Sequence, residues 1–317
     1  MNSLIEISDL TVSFPGDKYR LTALDRVSLT IRPGETLAII GESGSGKSVL
    51  GVSILGLLPD HAEVTGSIVY AGKNLLHASY SEMESIRGRM IGWIPQNPKT
   101  GCNPSMKVWK QVVEPQVTHT DLSRADARVR GMRLLDRFHV VPSDYWGDQY
   151  PNTYSGGMLQ RAMVAMGVSA DPEIIIADEP TKGIDTINKN SIVEVFSELK
   201  TKGITLVIIT HDLDFAYRLA DRVAVLYCGQ VIEITTGQTF FANPRHPYSQ
   251  ALLRSLPRNG LIPIPGSAPP MHAEHAGCRF KDRCSDCREE CTHAMPAFSL
   301  TEDYVRCIRY DNRNQAC

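Results

Sequence analysis

The sequence predicts an α/β fold built around a parallel β-sheet, and three short apolar runs support this prediction. They occupy residues 36–40 (Thr-Leu-Ala-Ile-Ile), 173–177 (Glu-Ile-Ile-Ile-Ala) and 206–209 (Leu-Val-Ile-Ile). Such runs are typical of strands that are buried on both faces of a parallel sheet. The first run leads through a glycine-rich stretch into an apolar-periodic segment at residues 49–58, which predicts a helix that Pro59 ends.

The glycine-rich stretch at residues 41–48 reads Gly-Glu-Ser-Gly-Ser-Gly-Lys-Ser and matches the pattern of a phosphate-binding loop. Glycines let the backbone wrap closely around phosphates, and the following helix directs the positive end of its dipole at them. Lys47 is expected to reach the outer phosphates, and Ser48 to ligate magnesium. A chance match is the weaker alternative, because both the strand and the helix are in place. The predicted phosphate-binding residues are Gly41, Ser43, Gly44, Ser45, Gly46, Lys47, Ser48 and Val49.

Two carboxylates follow the second apolar run, and a histidine follows the third. Asp178 is placed to hold magnesium, directly or through water, and Glu179 to orient or deprotonate an attacking water. A solvated turn is the commoner interpretation of two acids after a strand, but a phosphate loop on the same kind of sheet favours the catalytic one. His211 is placed to contact a γ-phosphate; taken alone, it would be an ordinary surface or capping residue.

A second anion-binding motif precedes the acidic run. Ser155, Gly156 and Gly157 open a long predicted helix, so a hydroxyl, two glycines and a helix N-terminus come together. One nucleotide does not need two phosphate sites in one chain. We therefore expect this motif to serve a nucleotide that is held by another subunit.

In this order the motifs resemble the ATP-binding subunit of an ABC transporter. The resemblance rests on the phosphate loop, Gln96 after an Ile-Gly-Trp-Ile-Pro run, the Ser-Gly-Gly motif, the acidic strand, Asp185 and His211, and it spans roughly the first three quarters of the chain. It implies an α/β P-loop NTPase (ABC ATPase) domain with an antiparallel β subdomain and a helical subdomain at about residues 97–168. The implied ligands are ATP and Mg²⁺.

The resemblance also implies roles for single residues. Gln96 would sense the magnesium ion and the permease, and would join Ser48 and Asp178 around the metal. Asp185 would shape a dimer interface across which Ser-Gly-Gly reaches, and His211 would be the switch histidine. An aromatic ring would stack on adenine near the N-terminus.

Phe14 is the favoured candidate for this ring because it follows the first predicted strand, and Tyr19 is the alternative. An aromatic residue there could equally fill the core. The chain also departs from the family pattern. Tyr154 and Met158 replace the usual leucine and glutamine of the signature, and Lys182 replaces a small residue close to Asp185. The lysine suggests unequal ATP sites and therefore a paralogous partner ATPase.

Composition excludes several classes of protein. The chain has 317 residues and a formal net charge of −2, so no basic excess suggests a nucleic-acid surface. No apolar run approaches the ~20 residues that span a bilayer. The N-terminal sequence lacks the features of a secretory signal. We expect a cytosolic protein whose transport path belongs to other chains.

The last quarter of the sequence narrows the resemblance to one branch of the family. Residues 243–248 (Asn-Pro-Arg-His-Pro-Tyr) and 251–257 (Ala-Leu-Leu-Arg-Ser-Leu-Pro) resemble the segment that closes the nucleotide domain in the oligopeptide, dipeptide and nickel branch. We expect a nucleotide-binding domain at residues 1–257. A stiff proline-rich linker and a cysteine-rich metal-binding extension would occupy residues 258–317.

Six of the eight cysteines fall in this extension. Cys278, Cys284, Cys291 and Cys307 are spaced C-x5-C-x6-C-x15-C, with Cys287 and Cys317 in addition. A disulfide framework is disfavoured in a reducing cytosol. Four thiolates suit either zinc or a four-iron, four-sulfur cluster, and the residues alone do not separate the two. The surrounding sequence resembles the extension of peptide-branch subunits, which implies the iron–sulfur cluster, with zinc as the alternative.

The expected protein is an ATPase subunit that powers import of dipeptides or oligopeptides through a separate permease. Its expected partners are a second ATPase subunit, two transmembrane permease subunits and an extracytoplasmic solute-binding protein, with no nucleic acid. It would lie on the cytoplasmic face of the inner membrane as a peripheral subunit. Nickel or a metal–chelator complex is the alternative cargo. A soluble ABC ATPase of DNA repair is the rival class, but the interval from Lys47 to Ser155 shows no coiled-coil heptads.

Overall fold

The chain divides into two compact units in the computed structural model. The loop unit comprises Ser3–Ile31, Leu37–Leu76 and the sequence from Ala220 onward, and it contains the predicted phosphate loop. The signature unit comprises Arg32–Thr36 and His77–Leu219 and contains the Ser-Gly-Gly motif. The structure describes residues 3–273, 275–293, 298–300 and 303–310.

The strands are β1 (Ile5–Pro15), β2 (Arg20–Ile31), β3 (Thr36–Ile40), β4 (Glu63–Tyr70), β5 (Lys73–Asn74), β6 (Ile91–Ile94), β7 (Ile174–Asp178), β8 (Thr205–Thr210), β9 (Arg222–Tyr227), β10 (Gln230–Thr236), β11 (Phe298–Leu300) and β12 (Asp303–Val305).

The α-helices are α1 (Lys47–Ile54), α2 (Tyr80–Ile86), α3 (Pro98–Gly101), α4 (Val108–His119), α5 (Arg124–Arg137), α6 (Ser143–Gly147), α7 (Gly156–Val168), α8 (Thr186–Thr201), α9 (Leu213–Leu219), α10 (Gly237–Ala242) and α11 (Pro247–Arg254). Short 3-10 turns occupy Leu75–His77, Pro151–Thr153, Pro257–Asn259, Lys281–Arg283, Glu289–Thr292 and Ile308–Tyr310.

An antiparallel sheet forms one part of the loop unit, with strand order β2-β1-β4-β5. Ile5 of β1 lies opposite Ile31 of β2 on one side and Tyr70 of β4 on the other. Alternating residues of β1, among them Ile5 and Ile7, are buried because one face of the sheet packs inward. The predicted antiparallel β region is therefore present.

The strand that leads to the phosphate loop lies in the other part of the loop unit. β3 pairs in parallel with β9, so that Ile40 lies opposite Val225. β9 and β10 form a hairpin whose turn residues are Cys228 and Gly229. Both turn residues have positive φ, 45° and 76°, as a tight two-residue hairpin turn requires.

Three parallel strands form the sheet of the signature unit. Ala177 of β7 lies opposite Ile94 of β6 and Ile208 of β8. Both β7 and β8 are buried throughout, which confirms the predicted strands at residues 173–177 and 206–209 to within a residue at their ends. Parallel strands place their carboxyl ends at one edge, so the residues after β7 and β8 meet there.

Helices α3 to α7 occupy residues 98–168 of the signature unit and share a core with its sheet. Ser123 caps α5 by accepting a hydrogen bond from the Asp126 amide. Phe196 of α8 and Phe215 of α9 meet edge to face at 5.5 Å between ring centroids.

The helix predicted at residues 49–58 was placed wrongly at both ends. α1 begins two residues earlier, at Lys47, and it ends at Ile54. Gly56 adopts a left-handed φ of 58°, and its amide bonds to the Ser53 carbonyl while the Leu57 amide bonds to Val52. This is the pairing of a Schellman helix end, which stops the helix well before Pro59. Over the described residues, the helices are all too short or too polar to cross a bilayer.

Candidate functional site

The phosphate loop joins β3 to α1 and encloses the Lys47 ammonium. Lys47 is 7% exposed, and its Nζ donates hydrogen bonds to the carbonyl oxygens of Gly41 and Glu42, both at 2.8 Å. A buried ammonium needs such oxygen partners, because burial without them is costly. The loop therefore holds one positive charge at its centre, next to the N-terminus of α1.

Steric contacts explain why this loop requires glycines. A Cβ on Gly46 would lie 2.4 Å from the Ala23 carbonyl oxygen, and one on Gly41 would lie 2.1 Å from that of Leu226. Gly46 also has φ +103°, which side chains rarely adopt. Gly44 has φ +79°, but a Cβ there would meet nothing within 4 Å. Gly41 and Gly46 thus permit the close approach of neighbouring backbone, while Gly44 supplies only a turn.

The serines of the loop differ in exposure. Ser45 is buried, and its carbonyl accepts a hydrogen bond of 2.9 Å from the Gly229 amide of the β9–β10 hairpin. Ser43 is exposed, and so is Ser48 in the first turn of α1. Val49 follows at the partly buried start of the helix. Ser48 therefore has a solvent-accessible hydroxyl immediately after Lys47.

The two candidates for the adenine-stacking ring lie at the β1–β2 end of the antiparallel sheet. Phe14 is partly buried in β1, with its ring centroid 6.0 Å from that of His61. Tyr19 is 62% exposed in the turn before β2, and its ring lies 4.7 Å from that of His272. Tyr19 thus has the ring that is more accessible to a ligand, although the sequence favours Phe14.

The carboxylates after β7 lie in the signature unit and are buried. Asp178 is 3% exposed and Glu179 is 4% exposed. Glu179 has a left-handed φ of 51°, and its amide donates to the Ile209 carbonyl at 2.8 Å. A non-glycine residue in this conformation costs about 1–2 kcal/mol. Such a cost is tolerated where the conformation aims a side chain at a functional site.

Three polar groups of Thr210, which ends β8, and of His211, which follows it, converge on the Glu179 carboxylate. Its Oε1 lies 2.6 Å from Nδ1 of His211 and accepts the His211 amide at 3.1 Å, while its Oε2 accepts the Thr210 hydroxyl at 3.2 Å. The His211 side chain is 61% exposed, in contrast to Glu179. The structure thus brings together the predicted base and the predicted switch histidine.

Asp212 is a part of this site that the sequence analysis missed. Its carboxylate accepts hydrogen bonds from Lys189 Nζ at 2.7 Å, the Thr181 hydroxyl at 3.2 Å and the Phe215 amide at 3.1 Å. Burial opposes ionisation of Asp212, but the hydrogen bonds outweigh it and lower the pKa of this carboxyl. An acid three residues before a helical amide is a capping signal that could have indicated it. Asp212 ties the loop after β7 to the residues that carry His211.

The Ser-Gly-Gly motif caps α7 as predicted. The Ser155 hydroxyl accepts a hydrogen bond from the Met158 amide at 3.3 Å. Ser155 and Gly156 are exposed and Gly157 is partly so. A Cβ on either glycine would meet no atom within 4 Å, so contacts within this chain do not explain them.

Asp185 and Gln96 are both exposed in the signature unit. Asp185 stabilises the charged form of Arg161 on α7, which links the loop after β7 to the signature helix. Gln96 follows β6, directly before Asn97, which caps α3 by accepting from the Lys99 amide at 3.0 Å. Lys182 is exposed, and its amide donates to the Glu179 carbonyl at 3.0 Å.

Four cysteines of the extension lie in one part of the loop unit. The Cys278 thiol lies within electrostatic range of Cys284, Cys291 and Cys307, and burial raises its pKa to about 11. The Cys278 amide also donates to the Cys291 carbonyl at 2.8 Å. All the cysteines in the described part of the chain are free thiols, and no group of three or more metal-ligating side chains there is arranged to hold a metal ion. Cys317 lies outside the described residues.

His275, His293 and Cys287 are further candidate ligands in the extension. His275 bonds the Pro270 carbonyl at 2.9 Å through Nε2, and His293 and Cys287 are exposed. Burial raises the pKa of the Cys287 thiol, and Cys291 adds to the shift, so Cys287 lies near the edge of the thiol group.

Comparison with known proteins identifies the family. A profile of the ABC transporter family matches residues 24–182, and one of the oligopeptide/dipeptide transporter C-terminal region matches residues 232–291. The chain is 39% identical to a dipeptide transport ATP-binding protein of Bacillus subtilis, with 99% of this chain and 96% of the relative covered. It is 37% identical to an oligopeptide transport ATP-binding protein of Salmonella typhimurium, with 96% and 93% covered.

The chain belongs to the ABC transporter family. It falls among the ATP-binding proteins whose C-terminal region is that of oligopeptide and dipeptide transporters. A solved dimeric ATP-binding cassette in a post-hydrolysis state, bound to ADP and Pi, superposes with a TM-score of 0.67 at 25% identity and covers 73% of this chain and 98% of its own. The predicted ABC ATPase fold is confirmed.

The glycines of the phosphate loop provide a test of its steric design. Replacing Gly46 by alanine should lower the free energy of unfolding by about 2 kcal/mol more than replacing Gly44, because both substitutions meet left-handed strain but only the first also overpacks against backbone. Urea denaturation of the two full-length variants measures this difference. Equal destabilisation would show that the contact with the Ala23 carbonyl does not constrain residue 46.

Proposed function

We propose that this chain binds and hydrolyses Mg·ATP and thereby powers the import of dipeptides or oligopeptides through a separate membrane permease. The observation that carries the proposal is the Glu179 carboxylate, held by three donors beside the exposed His211. A purely structural carboxylate would not need a strained backbone and an exposed histidine partner. The relatives named for dipeptide and oligopeptide transport support the choice of cargo over nickel.

The predicted site residues would have distinct roles in hydrolysis. Lys47 would bind the outer phosphates, with the amides of residues 43–49 and the α1 dipole. Ser48, Asp178 and Gln96 would hold Mg²⁺, which neutralises phosphate charge when it is bound. Their oxygen donors suit this cation.

Glu179 would accept a hydrogen bond from the attacking water and turn it towards the γ-phosphate. The contacts from His211 and Thr210 fix both carboxylate oxygens, so little reorganisation is needed at the moment of attack. His211 would contact the γ-phosphate itself. Asp212 would keep the His211 backbone in place through Lys189 and Thr181.

The signature motif would complete the ATP site of a second ATPase subunit. The exposure of Ser155 and Gly156 and the partial exposure of Gly157 at the start of α7 support this role, as does exposed Asp185. Lys182 in that loop favours a paralogous partner with an unequal site. The dimer would act on two permease subunits, to which an extracytoplasmic solute-binding protein would deliver the cargo. This chain would lie on the cytoplasmic face of the inner membrane as a peripheral subunit.

Residues 1–257 would form the nucleotide-binding domain, with its helical subdomain at about 97–168 and either Phe14 or Tyr19 stacked on adenine. In the extension at residues 258–317, Cys278, Cys284, Cys291 and Cys307 would ligate a four-iron, four-sulfur cluster, or zinc as the alternative. The backbone hydrogen bond of 2.8 Å from the Cys278 amide to the Cys291 carbonyl supports this assignment, because it brings two of the four cysteines together. A bound cation would also lower the raised thiol pKa values, because it stabilises thiolates. The bound cluster or metal would have a structural role and would take no part in ATP hydrolysis.

Substitution of Glu179 tests the catalytic assignment. Glu179→Gln keeps the side-chain shape but removes the base, so ATP turnover should fall about 100-fold or more. The ATP dissociation constant should stay within about threefold of wild type, since the phosphate loop is untouched. Glu194→Gln, at an exposed position on α8, is the matched control and should leave turnover unchanged. Wild-type turnover in Glu179→Gln would rule out this role.

Metal analysis tests the cysteine assignment. Anaerobically purified protein should contain about four irons and four sulfides per chain, and a Cys291→Ala variant should lose them. Cys102→Ala removes an equally buried thiol from the signature unit and should keep them. About one zinc per chain would instead indicate that these cysteines form a zinc site. Neither iron nor zinc, or equal loss in both variants, would contradict a metal at these cysteines.

A further inference from the structure

An arginine of the cysteine-rich extension reaches the phosphate loop within the loop unit. Arg283 Nη1 donates to Glu42 Oε2 and Nη2 donates to Glu42 Oε1, both at 2.9 Å. This is a bidentate ion pair, the geometry in which arginine binds carboxylates most strongly. The Arg283 side chain is 6% exposed and that of Glu42 is 29% exposed. Glu42 is the second residue of the loop, and 241 positions separate the partners.

Other contacts fix the Arg283 side chain in the orientation in which it binds Glu42. Its Nε donates to the Pro265 carbonyl at 2.8 Å and its Nη1 to the Tyr227 hydroxyl at 3.1 Å. The 3-10 turn Lys281–Arg283 fixes its backbone, since the Arg283 amide bonds the Phe280 carbonyl at 3.0 Å. All of these partners lie in the loop unit. The guanidinium is therefore preorganised, and little conformational entropy is lost when it binds the carboxylate.

An aromatic cluster anchors this turn to the body of the loop unit. Phe280 is 2% exposed and packs edge to face against Tyr227 and Tyr248, with ring centroids 5.4 Å apart in each case. The Tyr248 hydroxyl accepts the backbone amide of Glu42 at 2.9 Å. The side chain and the backbone of Glu42 are thus both held by residues that follow β9 in the chain or belong to it.

Glu42 in turn touches the phosphate-binding lysine. Its carbonyl accepts one of the two short hydrogen bonds from Lys47 Nζ. Movement of Glu42 would therefore move Lys47. Glu42 also brings a negative charge into a loop that receives a triphosphate, and like charges repel at this range. Pairing with Arg283 neutralises that charge.

We propose that Arg283 is a positioning residue for nucleotide binding: it fixes Glu42 in the phosphate loop and cancels its charge, so that Lys47 and the loop amides can accept the phosphates. The inference rests on the proposed ATPase function. It makes the cysteine-rich extension a working part of the nucleotide site, because the residue that secures the loop immediately precedes Cys284 in the chain.

The test compares Mg·ATP binding by full-length variants. Arg283→Gln should raise the dissociation constant about tenfold, and Arg283→Lys by less, because lysine keeps the charge but cannot bind both oxygens. Adding Glu42→Gln to Arg283→Gln should recover most of the lost affinity, since it removes the uncompensated charge. A residue that only stabilises the fold would show no such recovery. The increase should appear in KM for ATP more than in kcat.

Arg279→Gln is the matched control. Arg279 comes from the same extension, and its side chain is 12% exposed. Its hydrogen bonds go to Asp25, at 2.6 Å, and to the Cys228 carbonyl. It should change the ATP dissociation constant less than twofold. Wild-type affinity in Arg283→Gln, or no recovery in the double variant, would overturn the proposal.

Two further outcomes are informative. If Arg283→Gln does not fold, Arg283→Lys decides the matter, and wild-type affinity in that variant would overturn the proposal. If wild-type protein itself fails to bind Mg·ATP, the proposed function fails, and the role of Arg283 fails with it. Affinity lost only in the Arg283 variants supports both.

Discussion

The position of one buried ammonium group constrains much of the loop unit. Lys47 is almost fully enclosed and is held by the carbonyls of Gly41 and Glu42. To keep those carbonyls in place, the backbone must pass within van der Waals contact of β2 and β9, which leaves no space for side chains at Gly41 and Gly46. Tyr248 and Arg283 then hold Glu42 from outside the loop. The shape of the loop therefore depends on residues that are distant from it in the sequence.

In the signature unit, the main constraint is the orientation of the Glu179 carboxylate. Glu179 adopts a left-handed backbone directly after β7, and the residues after β8 surround its side chain with donors. Because parallel strands end at one edge, the two segments meet without a long connection. The fold thus gives the Glu179 carboxylate a fixed orientation and leaves the imidazole of His211 beside it exposed.

The sequence was sufficient to predict those parts of the molecule that depend on a local residue pattern. β3, β7 and β8 are apolar throughout, and the phosphate loop follows one of them in an unmistakable order. The Ser155 cap and the hairpin at Cys228 also depend on short-range signals. Hydrophobic periodicity alone overestimated the length of α1, because the glycine that reverses the chain at residue 56 lies inside an apolar stretch.

Long-range polar pairs were beyond the sequence analysis. Nothing local to Glu42 indicates that its partner is Arg283, since the pairing depends on how the extension folds back within the loop unit. Asp212 was missed for a similar reason, as its partners Thr181 and Lys189 come from other segments. The four cysteines were identified from composition and spacing, whereas the backbone hydrogen bond between Cys278 and Cys291 could be found only in the structure.

A crystal structure of the full-length protein with Mg²⁺ and a non-hydrolysable ATP analogue would test the central claim most directly. The account predicts that Lys47 Nζ contacts the outer phosphates, while Arg283 keeps both hydrogen bonds to Glu42 and Tyr248 keeps its bond to the Glu42 amide. A nucleotide bound away from Lys47, or an Arg283–Glu42 pair that separates when the nucleotide binds, would contradict it.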